Sequence, residues 1–524
     1  ASVAAGLDLE MPSTGKASPA TIVAAVHDGS LDQAALDVAV RRVLELVDRA
    51  PEPSASGGFD IDAHHQLARA AAAEGAVLLK NDGAALPLRV GDGRRVAVIG
   101  EFARTPRYQG AGSSQVNPTR VDDALGALRA AVPAGTKVDF AAGYPLDNTD
   151  PADDAATLIA EAVDCARGAD AVVVFAGLPA SYESEGFDRT DLALPDEQLR
   201  LIEALGAARS DVVVVLANGS VVTVGDFADQ VAAVLECWLG GQASGSAVAD
   251  LVLGAVNPSG KLAESIPLRL EDASAYGNFP GAERKVFYGE GLFVGYRRYD
   301  SADVSVAYPF GFGLSYTTFA YSDLTVDLVD GGGGSDLDDP VVEVAATITN
   351  SGDVAGAEVV QLYVGTTDAP VPRPVRELRG FTKVSLEPGA TERVQFVVSR
   401  RDLARWSTRS HDWVFDPGSY EVAVAASSRD LRLVEAIEVP GEVPAERLDG
   451  YSTLAEWLVH PFGRDRLITR MKSSPLGDLS PILDDESLVK VIGQFPLRRL
   501  LPMLGGAFTL DELDALIDEA NTTA

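Results

Sequence analysis

Ala171-Val172-Val173-Val174-Phe175-Ala176 contains no polar side chain, and Ser181-Tyr182-Glu183-Ser184-Glu185-Gly186-Phe187-Asp188-Arg189 follows it almost at once. A short, unbroken, β-branched run predicts a strand buried on both faces, because a strand with one wet face would alternate. Similar runs lie at Ala76–Leu79, Val96–Gly100, Val138–Phe140, Val212–Leu216 and Val231–Trp238, with helical patterns between them. Strands alternating with helices predict an α/β layered domain around a mainly parallel sheet, over residues 63–270. In such sheets the loops at the carboxyl ends of strands handle ligands, and the acidic stretch 181–189 is one of them.

Outward from this core the rhythm changes. Residues 18–48 read as two helices, the first started by Ser18 as cap and Pro19 as first helical residue, and ended at Gly29. The opening Leu7-Asp8-Leu9-Glu10-Met11-Pro12 reads as a short strand stopped by proline. Two helices and a strand stub do not bury their own stripe, so residues 1–48 are expected to be the remnant of a larger domain. Residues 49–62 are a Pro/Ser/Gly-rich linker. A second linker spans 271–300. From 301 to 440, Val342–Thr349, Glu358–Val364, Glu392–Val398 and Tyr420–Ala425 alternate between turn residues, predicting an antiparallel β-sandwich of the fibronectin III sort. The Gly331–Gly334 run is expected on a surface loop. Residues 441–524 form a helical tail: Thr453…Glu456 and Thr509…Glu512 fit capping boxes, and Leu483, Leu488, Val489, Val491, Ile492, Leu497, Leu500, Leu501 and Leu504 offer apolar surface.

Composition excludes several functions. The 524 residues carry a net charge of −34, which repels phosphate backbones and argues against a nucleic-acid partner. No apolar run reaches the ~20 residues of a membrane span. Cys165 and Cys237 are the only cysteines and sit in apolar stretches, so buried thiols are expected rather than a disulfide framework. Five histidines without H-E-x-x-H or clustered ligands predict no metal, and no cofactor is expected. Val96-Ala97-Val98-Ile99-Gly100 leads into Glu101-Phe102-Ala103-Arg104, with neither G-x-G-x-x-G nor a P-loop lysine, so a nucleotide site is not expected. No G-x-S-x-G elbow is present.

The acidic loop remains as the place for chemistry. Its three carboxylates, Glu183, Glu185 and Asp188, lie within six residues. Neighbouring like charges, or desolvation by Tyr182 or Phe187, would raise a carboxyl pKa towards neutrality, as a general acid requires. The competing reading is a solvated acidic loop. Asp188 beside Arg189 is expected to form an ion pair.

Further motifs then fall into one order: Ala5-Gly6-Leu7-Asp8-Leu9-Glu10-Met11-Pro12, Leu36-Asp37-Val38-Ala39-Val40-Arg41-Arg42-Val43-Leu44, Glu74-Gly75-Ala76-Val77-Leu78-Leu79-Lys80-Asn81, Gly110-Ala111-Gly112-Ser113-Ser114-Gln115-Val116, Asn257-Pro258-Ser259-Gly260-Lys261-Leu262, Tyr288-Gly289-Glu290-Gly291-Leu292-Phe293-Val294-Gly295-Tyr296-Arg297, Tyr308-Pro309-Phe310-Gly311-Phe312-Gly313-Leu314-Ser315-Tyr316 and Arg373-Pro374-Val375-Arg376-Glu377-Leu378-Arg379-Gly380-Phe381. In these motifs the chain, from residue 1 to about 440, resembles the multidomain β-glucosidases of glycoside hydrolase family 3. The resemblance implies a C-terminal remnant of a (β/α)8 barrel, an α/β sandwich domain and a fibronectin type III-like domain. It implies a retaining enzyme acting on a β-glucoside or short oligosaccharide. β-Xylosides or α-L-arabinosides on the same scaffold, or a non-catalytic carbohydrate-binding or assembly module, are the alternatives.

The same resemblance puts the general acid/base on Glu185, with Glu183 as the less favoured neighbour, because the family's loop variants share a glycine after the acid. Gly186 would then let the backbone turn sharply towards the sugar. The nucleophile is implied to be an aspartate of an S-D-W-type motif, and no S-D-W occurs in these residues. The nucleophile and most of the barrel are therefore expected in a missing N-terminal segment, and this chain alone is expected to be inactive. Oligomeric state is not assigned by the sequence. The compartment stays open as well, with the thiols and helical tail pointing towards the cytoplasm.

Overall fold

The computed structural model describes residues 1–50, 58–146, 155–329, 336–366, 369–440, 447–474, 477–502 and 509–522. The glycine run 331–334, residues 51–57 of the 49–62 linker and Leu504 lie outside the described residues. Two compact units divide the chain, Ala1–His64 and His65–Ala524.

In the first unit, α1 (Ala17–His27) and α2 (Gln33–Asp48) are the two helices. Asp32 caps α2 by accepting from Ala34 N. The predicted cap of α1 is not used: the helix begins two residues earlier, with Lys16 at the cap position and no side-chain cap. Ser18 Oγ donates instead to Glu10 Oε1 at 2.8 Å, and Ser18 N donates to Thr14 Oγ1 at 3.1 Å. Residues 7–10 adopt no ladder, so the predicted strand is absent as an element. A strand needs a hydrogen-bonding neighbour, and the described residues offer it none. Leu9, Met11 and Val23 stay exposed.

The second unit begins within α3 (Ile61–Gly75). Six strands follow, alternating with helices: β1 (Val77–Asn81), β2 (Arg95–Ile99), α4 (Ala124–Ala131), β3 (Lys137–Ala141), α5 (Ala155–Arg167), β4 (Ala171–Gly177), α6 (Asp196–Ala208), β5 (Val212–Ala217), β6 (Ala233–Glu236) and α7 (Ser244–Val252). They make one sheet in the order β1-β6-β5-β4-β2-β3, parallel except for β1. Val172, Val173 and Val174 on β4 and Val212 to Leu216 on β5 are almost entirely buried, which is why these runs do not alternate. Each such side chain contributes ~1.5–3 kcal/mol by leaving water. Two polar links tie α3 to this layer. Arg69 pairs with Asp250 on α7, and His65 Nε2 lies 2.8 Å from Asp122 Oδ2.

The strand order fixes where a ligand can be handled. The chain passes from β2 to its outer neighbour β3, then returns to β4 on β2's other side. The segments leaving the carboxyl ends of β2 and β4 therefore diverge and leave a crevice between them. Residues 100–123 and 178–195 are those segments.

Short elements β7 (Ile266–Pro267), α8 (Tyr296–Ser301) and β8 (Val306–Tyr308) lead to the β-sandwich. Its strands are β9 (Phe319–Leu328), β10 (Pro340–Asn350), β11 (Gly356–Thr366), β12 (Glu377–Leu386), β13 (Thr391–Ser399), β16 (Gly418–Ala425) and β17 (Leu431–Val439), in antiparallel sheets β13-β10-β9 and β12-β11-β16-β17. The one-turn helix α9 (Arg400–Leu403) and the small hairpin β14 (Arg405–Ser407) and β15 (Asp412–Val414) lie between β13 and β16. Val342, Val344, Leu362, Val422 and Val424 fill the space between sheets. Lys261 Nζ meets Glu358 Oε1 at 2.8 Å, both nearly buried, joining the α/β layer to β11.

The last helices are α10 (Leu454–Val459), α11 (Gly463–Lys472), α12 (Glu486–Ile492), α13 (Leu497–Leu500) and α14 (Leu510–Thr522). Thr453–Glu456 and Thr509–Glu512 make both hydrogen bonds of a capping box. Their core gathers on Trp457, fully buried with Leu467, Met471, Leu497 and Leu513. Val491 and Leu488, offered as packing surface by the sequence, are exposed, because α12 turns only Ile492 towards that core.

Candidate active site

The loop after β4 is held at several points. Arg107, on the segment after β2, donates from Nε to Leu178 O at 3.1 Å and from Nη2 to Glu183 O at 3.1 Å. Burial pushes its pKa down, with Glu183 opposing, so the guanidinium is a fixed strut under the loop. At the far end, Arg189 Nη1 donates to Val221 O at 2.7 Å and Ser220 Oγ at 3.2 Å. The expected Asp188–Arg189 ion pair does not form. The Arg189 side chain turns instead to the strand-end segment after β5.

The two glutamates of the loop have different fates. Glu183 is half-buried; its Oε2 accepts from Gly219 N at 2.7 Å and its Oε1 from Ser220 Oγ at 2.6 Å. Both carboxylate oxygens are thus committed to the segment after β5. Glu185 is exposed, and its Oε2 accepts from Ser113 N at 2.6 Å and from the Ser113 hydroxyl. Its Oε1 makes no hydrogen bond among the described residues. Gly186 follows with φ +96°, a left-handed backbone that turns the chain just after the acid.

Ser113 sits in a single helical turn, Gly112–Ser114, on the segment after β2. Glycine is required next to it: a Cβ on Gly112, whose φ is +80°, would lie 2.6 Å from Glu185 Cβ. The Gly/Ser loop thus closes over the glutamate. Two residues missed as partners in the sequence, Ser113 and Arg107, complete the site. The glycine-serine run was visible, but its partner 72 residues away was not.

The electrostatics correct one expectation. Glu185 is not raised by its acidic neighbours or by an aromatic ring. The Ser113 hydroxyl first, then its N–H, hold the carboxyl below the usual carboxylate range, and no burial of consequence opposes them. Hydrogen bonds to the ionised form outweigh like charges that water screens. The raised carboxyl lies deeper, on Glu236 at the end of β6. Burial pushes it up to about 7, against hydrogen bonds from Trp238 N at 2.8 Å and Asn218 Nδ2 at 3.0 Å. Glu236 is 1% exposed and out of reach of a substrate.

Among the described residues no group of His, Cys, Asp and Glu could hold a metal ion. Cys165 and Cys237 are free, half-buried and buried.

Comparison with known proteins gives this arrangement a context. Residues 76–316 match the glycosyl hydrolase family 3 C-terminal domain, and residues 358–428 match the fibronectin type III-like domain. The exo-α-(1→6)-L-arabinopyranosidase of Bifidobacterium longum is 42% identical over 98% of this chain and 68% of its own length. Thermostable β-glucosidase B of Acetivibrio thermocellus is 42% identical over 99% of this chain and 67% of its own length. A crystal structure of a GH3 β-glucosidase from Bifidobacterium adolescentis superposes with a TM-score of 0.78 at 44% identity, over 89% of this chain and 66% of that one. The chain spans about two thirds of the length of these relatives.

Proposed function

The chain belongs to glycoside hydrolase family 3, and on that premise we propose that it forms part of a retaining β-glucosidase in which Glu185 is the general acid/base. The substrate class is a terminal, non-reducing β-D-glucosyl residue. The observation that carries this reading is the division of labour in the loop. Glu183 has both oxygens occupied by Gly219 and Ser220, whereas Glu185 is exposed with Oε1 free. A proton donor must reach a leaving-group oxygen at hydrogen-bond distance, and only Glu185 is placed to do so.

In this reading Glu185 protonates the glycosidic oxygen as the bond to the anomeric carbon breaks. It later removes a proton from the water that attacks the glycosyl intermediate. The second carboxylate of a retaining pair stands about 5–5.5 Å away. No S-D-W aspartate occurs in these 524 residues, so the nucleophile is assigned to a segment outside them. The depressed pKa of Glu185 belongs to the open, hydrated site. A bound sugar excludes water, and a second carboxylate adds like charge. Both raise the pKa towards that of an acid catalyst. Ser113 marks which oxygen stays anchored, leaving the other to carry the proton.

A second reading, hydrolysis of α-L-arabinopyranosides, is favoured by the equal 42% identity to the arabinopyranosidase and to the β-glucosidase. The same carboxylate serves either substrate, and the sugar-binding residues make the choice.

The test joins these residues to the preceding segment of the same gene. Nitrophenyl β-glucoside and α-L-arabinopyranoside are compared side by side. Glu185→Gln should lower kcat/KM on substrates with poor leaving groups by ~10²–10⁴-fold. It should spare glycosylation by activated aryl glycosides and respond to azide. Azide rescue seen with Glu183→Gln but not with Glu185→Gln would reverse the assignment.

A further inference from the structure

The crevice between β2 and β4 contains more than the acid loop. On its β3 side is a cavity of about 350 Å³, lined by Phe102, Tyr144, Leu146, Tyr182, Glu197 and Gln198. It lies at the switch point of the sheet: Phe102 follows β2, Tyr144 follows β3, Tyr182 follows β4, and Glu197 and Gln198 are in the first turn of α6. Its volume falls within the ~300–1,000 Å³ of small-molecule clefts.

The cavity's polar groups are unspent. Gln198 is 3% exposed, and its Oε1 accepts from Gly177 N at 2.8 Å, which fixes the amide. Its Nε2 donates to no acceptor among the described residues and is open to the cavity. The Tyr182 hydroxyl makes no hydrogen bond there either. Glu197 has only a 3.3 Å contact from Arg200 to Oε1, leaving Oε2 open. Tyr144, by contrast, is fully spent, accepting from Phe102 N and donating to Phe175 O, and acts as wall.

We propose that this cavity is an accessory binding site for a neutral pyranose, separate from the sugar position facing Glu185. A fixed amide donor, a carboxylate acceptor and a phenol match the alternating donors and acceptors of vicinal hydroxyls. Phe102, Leu146 and the Tyr182 ring supply apolar surface for a sugar's C–H face. Asp196 and Glu197 in the first turn of α6 oppose the helix dipole and exclude phosphate or carboxylate ligands. Tyr182 lies three residues before Glu185 on the same loop. A sugar seated against Tyr182 therefore restrains the loop that carries the acid.

The probe is D-glucose, added to the 524-residue chain and followed by saturation-transfer NMR with competition. Binding in the millimolar range is expected, about −4 kcal/mol. It should persist in Glu185→Gln and weaken about tenfold in Tyr182→Ala and in Glu197→Ala, with unchanged circular dichroism. Either of these two variants suffices if the other misfolds, since both side chains sit at the crevice rim. Absence of transfer to glucose overturns the site, as does transfer unchanged in the folded variants. Loss of transfer in Glu185→Gln alone places the sugar at the acid instead. Displacement by inorganic phosphate overturns its neutral-ligand character. None of these results bears on whether Glu185 catalyses, which the azide experiment decides separately.

Discussion

The backbone N–H of Ser113 donates to Oε2 of Glu185 at 2.6 Å, across 72 residues of chain. Ser113 leaves β2 and Glu185 leaves β4, two strands that pair directly in the sheet. The strand pairing brings their carboxyl ends together, and the return from β3 to β4 opens the crevice into which both segments turn. The contact is therefore a product of topology, and it lowers the pKa of the exposed carboxylate.

Ser113→Ala should raise the titration midpoint of Glu185. The hydroxyl is the largest cause holding that carboxyl down, and the backbone N–H would remain as the smaller one. Carboxyl ¹³C chemical shifts followed against pH, with Glu185→Gln to assign the signal, measure it directly. A midpoint unchanged or lower in Ser113→Ala would show that the hydroxyl does not stabilise the ionised form.

Glu183→Ala should destabilise the loop where Glu185→Gln does not. Two hydrogen bonds to a half-buried carboxylate acceptor disappear, from Gly219 N and Ser220 Oγ. The loss is about 2–4 kcal/mol, since bonds to charged groups are worth ~1.5–3 kcal/mol each and part is recovered by water. Faster amide exchange over residues 178–190, together with a lower melting temperature, is the expected readout. Equal stability of the two variants would remove Glu183's anchoring role.

Glu236 should make stability fall as pH rises. Its folded pKa of about 7 lies above the unfolded value of 4.5, so the folded chain holds the extra proton between them. The contribution is fully present below pH 4.5 and is lost as pH rises through about 7, to the extent of ~2–3 kcal/mol. Glu236→Gln does not titrate. The stability difference between wild type and Glu236→Gln, from denaturant unfolding at pH 4.5, 6 and 8, should shift against the wild type with increasing pH. A pH-independent difference would mean that Glu236 is ionised in the fold.

Helix α1 should exchange its amides early. It has no buried residue, and Val23 is 55% exposed. Little packing opposes local opening in such a helix. Mass-spectrometric hydrogen exchange should show residues 17–27 deuterated orders of magnitude sooner than β4 and β5. Comparable protection would show that the α1 surface is covered in solution.

Much was legible from local pattern. The unbroken apolar runs at 171–176 and 212–216 marked fully buried strands because every second residue of a one-sided strand would be polar, and here none is. The alternation at 342–349 marked the sandwich for the converse reason. Thr453 and Thr509 announced two helix starts, since a capping box is satisfied within four residues and needs no tertiary partner. Ser18-Pro19 failed as a cap because Thr14 and Glu10 compete for the same serine. Trp457 went unnoticed as the centre of the last helices because one aromatic has no periodicity to declare it.

The sequence by itself determined the element types, the layered and sandwich architectures, the family, and a short loop in which a carboxylate would matter. Each depends on residues close together in the chain, where periodicity and turn chemistry act. Only the tertiary structure decided that Glu183 is spent on Gly219 and Ser220, that Glu185 is open with its pKa lowered by Ser113, and that the raised carboxyl is the buried Glu236. These outcomes depend on which strand ends the sheet order brings together, and on water lost or kept at single atoms. Desolvation and hydrogen bonding across 72 or 36 residues leave no periodic trace in the chain.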